Sequence, residues 1–208
     1  MKKKILKKFI TLLSNNNIDG YVIPKNDNFF TEQVKHDRLK LITKFTGSAG
    51  LAVILKKKKY LFVDSRYTIQ AKLESGRNYE IVKIHQKLPR NLFQNITLGY
   101  DPNIFTFSQL NYLFGKNIKL KSIKENLVDQ IFKVKKIKDK PFYSLPNNVT
   151  GESHQSKINV ISKYLKKKKA DFLFISAPEN VAWLLNIRGS DTPYSPLPNS
   201  NLLLTKNK

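Results

Sequence analysis

The residues of this 208-residue chain best suited to holding a metal or moving a proton are three histidines, His36, His85 and His154, and fifteen carboxylates. No two histidines stand at a ligand spacing such as H-x-x-x-H, where one helix face would aim both at the same ion. Each is therefore read as a surface or capping residue. Asp27 and Asp37 form the most suggestive carboxylate pair, but both fall in a loop region without a histidine arranged beside them. A dinuclear metal centre needs several carboxylates converging to offset two dications, and no stretch of the chain groups them. There is no cysteine, which excludes disulfides and thiolate ligands and fits a reducing compartment. Ser48 stands among small residues in Gly47-Ser48-Ala49-Gly50 but precedes an apolar strand instead of topping one, so it is a poor nucleophile elbow. Neither a Walker-type phosphate loop nor a G-x-G-x-x-G turn is present. The residues alone imply no catalysis and no cofactor bound by this chain.

The formal charge is +23, and 33 of the 38 basic residues are lysine, the others being Arg38, Arg66, Arg77, Arg90 and Arg188. Clustered cations can release counterions from nucleic-acid phosphate, so a stand-alone basic module for nucleic acid or an acidic protein partner is the alternative reading. Base readout favours the bidentate guanidinium, which is scarce here. Abundant Lys, Asn and Ile are also what an AT-rich genome writes onto tolerant surfaces, and specific nucleic-acid binding is not expected. The basic start, Met1 to Ile10, is interrupted by Lys7 and Lys8 before an apolar signal region can form. No apolar run approaches the roughly 20 residues that span a bilayer. A cytoplasmic protein without membrane association is expected.

The elements that must position these residues follow from periodicity. Ile5, Leu6, Phe9, Ile10 and Leu13 recur at helical spacing over residues 2–16. Tyr21-Val22-Ile23 is a short buried strand. Residues 36–44 form a short helix, and 51–55 with 60–63 form a hairpin around a solvated lysine tip. Asp64-Ser65 caps a helix over 66–74. Strands at 79–84, 96–100 and 118–123 alternate with a helix over 106–114, capped by Thr106 and closed by Gly115, and with a segment over 126–132. This alternation predicts an α/β sheet domain. Residues 136–149, with Pro141, Pro146 and many lysines, read as a linker. Thr150 then opens a second long helix, followed by strand 171–175 and Pro178. This order repeats the opening of the chain and predicts a second domain of like architecture over 150–208 after a first over 1–135. Strand 202–205 lacks a visible hairpin partner, so the second domain is expected to be incomplete.

Three stretches carry a resemblance. They are Phe45-Thr46-Gly47-Ser48-Ala49-Gly50-Leu51-Ala52-Val53, then Leu61-Phe62-Val63-Asp64-Ser65-Arg66-Tyr67-Thr68-Ile69-Gln70-Ala71, then residues 180–196, which include Trp183, Arg188, Asp191 and Tyr194. With Tyr21-Val22-Ile23-Pro24, Asp101-Pro102 and 124–129 in support, the chain from about residue 20 onward resembles the non-catalytic front of the Xaa-Pro aminopeptidases of the creatinase/prolidase superfamily. The resemblance implies a creatinase/prolidase N-terminal fold, a mixed sheet flanked by helices, followed by the start of a second similar domain. It implies a role in a metallopeptidase that removes the residue before a proline at the second position. The two divalent metals, manganese, would sit in a pita-bread catalytic domain beyond residue 208, so this chain would be inactive alone. It also implies a homodimer to which the front domains contribute contacts.

Arg66 corresponds to the arginine of a family Asp-Gly-Arg-Tyr motif that reaches the peptide substrate, with Ser65 here in place of the glycine. The competing reading has Arg66 paired locally with Asp64 or Glu74, or packed over a helix face. Tyr67, Arg188 and Asp191 are implied to face the active site or a subunit interface. The plainer alternative for Arg188 and Asp191 is a local salt bridge, and Trp183 is expected to be core.

Overall fold

Three apolar runs, Tyr21-Val22-Ile23, Leu51 to Ile54 and Tyr60 to Val63, are buried at every position. A strand can be buried throughout only if both faces of its sheet are covered. That is the arrangement in the computed structural model of the chain, which describes residues 3–31, 34, 36–133, 140–192 and 194–207. Two units are separable: Met1–Asp27 with His36–Lys135, and Asn28–Lys35 with Lys136–Lys208.

The first unit runs α1 (Lys3–Asn15), β1 (Gly20–Pro24), α2 (Arg38–Thr43), β2 (Leu51–Leu55), β3 (Lys59–Val63), α3 (Thr68–Ser75), β4 (Glu80–Lys83), α4 (Pro89–Leu92), β5 (Thr97–Tyr100), α5 (Phe107–Phe114), β6 (Lys119–Ser122) and α6 (Leu127–Phe132). Its strands form one six-stranded sheet in the order β4-β3-β2-β1-β5-β6. β2 is antiparallel to both neighbours, and the other pairs are parallel. Period-two alternation divides the side chains between two cores. Tyr21, Ile23, Ala52, Ile54, Leu61 and Val63 join Phe9 and Leu13 of α1, Leu39 and Ile42 of α2 and Leu127 and Val128 of α6 on one face. Val22, Leu51, Val53, Tyr60 and Phe62 join Phe93 with Leu110 and Phe114 of α5 on the other. At the start of β1 the chain needs glycine, because a Cβ on Gly20 would lie 2.4 Å from Leu55 Cδ2 and 2.8 Å from the Ile54 carbonyl.

Both caps expected on α5 are found. The Thr106 hydroxyl accepts from Gln109 N at 3.2 Å while the Gln109 side chain accepts from Thr106 N at 3.0 Å, a reciprocal capping box. Gly115 ends α5 at φ 61°. Asn126 accepts from Val128 N at 3.0 Å to open α6. A fork joins helices distant in sequence: Arg38 Nε and Nη2 donate to Asp129 at 2.8 and 2.7 Å. This ties α2 to α6 across the sheet face that holds Tyr21. Its hydrogen bond with Asp129 holds Arg38 above its ordinary pKa, and burial pushes the Tyr21 phenol far above the usual tyrosine range.

The second unit contains β7 (Tyr143–Ser144), α7 (Asn147–Thr150), α8 (His154–Lys167), β8 (Phe172–Ile175), α9 (Pro178–Leu185), β9 (Ile187–Arg188) and β10 (Leu202–Thr205). Several expectations are corrected here. The long helix is opened by Ser153, whose hydroxyl accepts from Ser156 N at 3.1 Å; Thr150 instead closes α7. Strand 202–205 does have a partner, pairing antiparallel with β8 so that Leu203 faces Phe174 and Leu204 faces Leu173. Periodicity missed this pairing because the two strands are separated by α9 and a long irregular stretch. Within 136–149, read as linker, Tyr143–Ser144 pairs with Ile187–Arg188; 136–139 fall outside the described residues. Helix α8 leading into β8, with an antiparallel partner beside it, repeats the α1-β1-β2 order of the first unit.

One face of the β8-β10 pair packs on α9 through Ile175 and Leu202 against Val181 and Ala182. The other face leaves Phe172, Phe174 and Leu203 about three-fifths exposed, at 62%, 58% and 59%. Contiguous apolar surface of this kind binds hydrophobic dyes. The 208-residue chain is expected to enhance ANS fluorescence, and Phe174→Lys should remove much of that signal without unfolding the first unit. For the first unit, Arg38→Ala and Asp129→Ala should each cost about 1.5–3 kcal/mol, the range for hydrogen bonds to charged groups. The double variant should cost less than their sum, as read from urea unfolding followed on first-unit amide signals.

Candidate functional site

Strand β3 ends at Val63, and Asp64 turns the chain into a short 3-10 turn, Ser65–Tyr67, that leads directly into α3. The Asp64 carboxylate caps this turn, accepting from Arg66 N at 2.8 Å. It also takes the Arg66 side chain, with Nη2 at 2.6 Å and Nε at 3.1 and 3.2 Å. The guanidinium carbon lies 5.3 Å from the centre of the Tyr67 ring. Of the local partners expected for Arg66, Asp64 is therefore found. Glu74 is not: it accepts from Thr46 N and Oγ1, both at 2.7 Å, and from Gln70. Even when paired, the Arg66 side chain remains 72% exposed. The guanidinium is thus oriented by an acid and a ring and presented to solvent.

Two motif stretches separated in sequence meet here. The Tyr67 hydroxyl lies 2.8 Å from Ser48 Oγ, and its ring meets Phe45 edge-on at 5.8 Å. Together with the Thr46–Glu74 bonds, these contacts clamp the small-residue loop 45–50 along α3, from Tyr67 before its start to Glu74 near its end. The role of Ser48 is to hold this loop. The hydrogen bond from Arg66 draws the Asp64 carboxyl below the ordinary aspartate range. Burial pushes Glu74 up, but the bonds from Thr46 outweigh it and leave its pKa lowered.

The other anticipated residues belong to the second unit. Arg188 Nη1 donates to the carbonyls of Ile187 at 2.8 Å and Ala182 at 3.4 Å. The buried Asp191 carboxylate accepts from Asn199 N at 3.0 Å and Lys140 N at 3.4 Å. Arg188 and Asp191 thus have separate partners, and the local salt bridge anticipated between them is not made. Pro193 of that stretch falls outside the described residues. Trp183 is not core. It is 60% exposed, with the ammonium of Lys157 4.2 Å from its ring centre.

Lys157 was not legible in the sequence. It is only 6% exposed, yet it is one of 33 lysines in the chain, and α8 carries exposed lysines as well at Lys163, Lys166 and Lys167. Its ammonium donates to Asn186 Oδ1 at 2.7 Å and to the Trp183 carbonyl at 2.8 Å. The Asn186 amide in turn donates to Glu152 O at 2.8 Å and Thr150 Oγ1 at 3.1 Å. This pair anchors the end of α9 to the start of α8.

Among the described residues, no group of three or more His, Cys, Asp or Glu side chains could hold a metal ion. Asp37, one of the suggestive carboxylates, is paired with Lys25 and caps α2. The lysine-rich hairpin tip, Lys56 to Lys58, is exposed as expected. No helix among the described residues is long and apolar enough to cross a membrane.

The fold and this rim together define a mixed-sheet α/β domain that presents side chains from the ends of its strands. The family model described as "Creatinase/Prolidase N-terminal domain" matches residues 5–131, and a second model of the same description matches 133–208. The chain belongs to the creatinase/prolidase N-terminal domain family. It is 35% identical to Xaa-Pro aminopeptidase 2 of Rattus norvegicus over 93% of this chain and 31% of the relative. It is 30% identical to Xaa-Pro aminopeptidase 1 of Dictyostelium discoideum over 93% of this chain and 35% of the relative. The crystal structure of X-prolyl aminopeptidase from Caenorhabditis elegans, described as a cytosolic enzyme with a di-nuclear active site, superposes with a TM-score of 0.86. The identity is 26%, over 99% of this chain and 37% of that one. The chain thus spans about a third of the length of the curated relatives it matches. None of these relatives supports a stand-alone basic binding module.

The Asp64–Arg66 pair makes a direct forecast. In a carboxyl NMR titration Asp64 should protonate below the ordinary aspartate value of about 3.9. In Arg66→Ala it should return toward that value. Because the folded pKa is depressed, the stabilisation is complete above the ordinary value and is lost as pH falls through the folded one. The stability of the two proteins should therefore converge at low pH.

Proposed function

We propose that this chain is the non-catalytic front region of a Xaa-Pro aminopeptidase, made of two like domains over 1–135 and 150–208. In this reading it contributes recognition of the far end of a peptide whose second residue is proline, while hydrolysis is carried out by a part bearing two divalent metals, manganese. The described residues offer no donor set that fits those metals, so no step of the reaction is assigned to this chain. The observation that carries the reading is identity of 30–35% to Xaa-Pro aminopeptidases over about nine-tenths of the chain.

Arg66 is the residue proposed to touch substrate. Its guanidinium carries a permanent charge and a planar fork that suits a peptide carboxylate or carbonyl. Asp64 and Tyr67 hold it in orientation, so less side-chain freedom is lost on binding. Tyr67, Arg188 and Asp191 are proposed to line the approach to the active site or a contact between two copies in a homodimer. A cytoplasmic location is proposed by analogy with the C. elegans relative.

The 208-residue chain, supplied with manganese and an Xaa-Pro peptide, should release no amino acid. The decisive experiment grafts the chain in place of the matching front region of a full-length relative and compares Arg66→Ala with the parent graft. Loss of a charge-assisted hydrogen bond of about 1.5–3 kcal/mol should lower kcat/KM about ten- to hundredfold. The melting temperature should fall only slightly, as for loss of an exposed ion pair, and Arg66→Lys should recover only part of the kinetic loss. Unaltered kinetics in a protein with a lowered melting temperature would show that Arg66 serves the fold alone.

A further inference from the structure

In the first unit a cleft opens where β1, β3 and β4 reach their carboxyl ends and β2 begins, between the sheet and α5. Open α/β sheets place ligands outside the carboxyl ends of their strands. The lining is dominated by apolar side chains, including Pro24, Leu51, Phe62, Ile84, Phe105 and Leu113. The volume is about 260 Å³. That is below the roughly 300–1,000 Å³ of pockets that take a whole small molecule. It is well above the roughly 30 Å³ share of one water. A space of this size and character has room for one apolar side chain. Asp64, the acid that holds Arg66, lines the same cleft. A residue seated there would lie beside the acid that orients the guanidinium.

Resting on the front-region reading above, we propose that this cleft receives the apolar side chain of a peptide residue beyond the proline, with Arg66 engaging that residue's carboxylate or carbonyl. The cleft would then make this unit selective for peptides whose downstream residue is leucine-like over those with glycine there. The side chain leaves water for an apolar lining, while the charged end of the peptide stays at the solvent-facing arginine. Burying one such side chain accounts for about a ten- to hundredfold preference.

The test is an amide NMR titration of the 208-residue chain with Ala-Pro-Leu and Ala-Pro-Gly. Ala-Pro-Leu is expected to shift the signals of Ala49, Gly50 and Leu113 saturably, and Ala-Pro-Gly about ten- to hundredfold more weakly. Ala49→Trp, which fills the mouth of the cleft from a loop, should abolish the Leu-dependent shifts while the rest of the spectrum reports an intact fold. Leu113→Ala should instead enlarge the cleft and move the preference toward Ala-Pro-Phe. Equal response to both peptides would overturn the proposal. So would no response at the cleft up to about 10 mM, a concentration that would reveal even millimolar affinity. Shifts confined to the exposed apolar residues of β8 and β10 would overturn it as well. Shifts at Arg66 without any at the cleft would reject the cleft yet leave the front-region reading standing. Loss of the substrate role of Arg66 would show separately, in unchanged kinetics of the grafted Arg66→Ala protein.

Discussion

Burial of β1, β2 and β3 on both faces is the constraint on which the first unit depends. Gly20 to Pro24 is buried throughout, so every residue of the strand must suit a core, and neither face can be given to polar side chains. The two layers of helices follow from this. Phe9 and Leu13 of α1 and Leu127 and Val128 of α6 cover one side, and Leu110 and Phe114 of α5 cover the other. The edges are left to strands that can meet water. Lys119 and Lys121 alternate along β6, where charged side chains discourage further strand pairing.

The rim that carries Arg66 inherits its precision from that sheet. β3 sits between β2 and β4 with its hydrogen bonds directed to both, so Phe62 is placed by two neighbours and the last residue, Val63, by β4. Asp64 converts that position into a turn, and the turn starts α3. The loop before β2 is held to the same helix through Thr46, Glu74, Ser48 and Tyr67. Recognition residues on loops work when a rigid scaffold aims them; here the scaffold is the buried hairpin, and Asp64 and the Tyr67 ring help set the aim.

Much of the first unit was legible in sequence because its signals are local. The hairpin around Lys56 to Lys59, the Thr106 cap and the closing Gly115 each depend on residues within a few positions. The two-sided apolar runs announced a covered sheet. The rest required tertiary information. Nothing local pairs Leu202–Thr205 with Phe172–Ile175, and nothing local separates buried Lys157 from the exposed lysines further along α8. Trp183 failed for the opposite reason: its size and isolation suggested core, but α9 turns Val181, Ala182 and Leu184 inward and leaves the indole outside under a lysine. At the candidate site the Asp64–Arg66 pairing was one of two local options. The other, Glu74, is bonded instead to Thr46, 28 residues away.

Native-state hydrogen exchange on the 208-residue chain tests most directly whether the Arg66 rim is seated on a rigid sheet. The amides of Leu61, Phe62 and Val63 in β3 should exchange as slowly as those of Val22 and Val53, all through global opening of the first unit. They should lose protection together as denaturant is added. β3 amides that open locally and exchange far faster than those of β1 and β2 would contradict the account, because the arginine would then sit on a loose edge and not on the core.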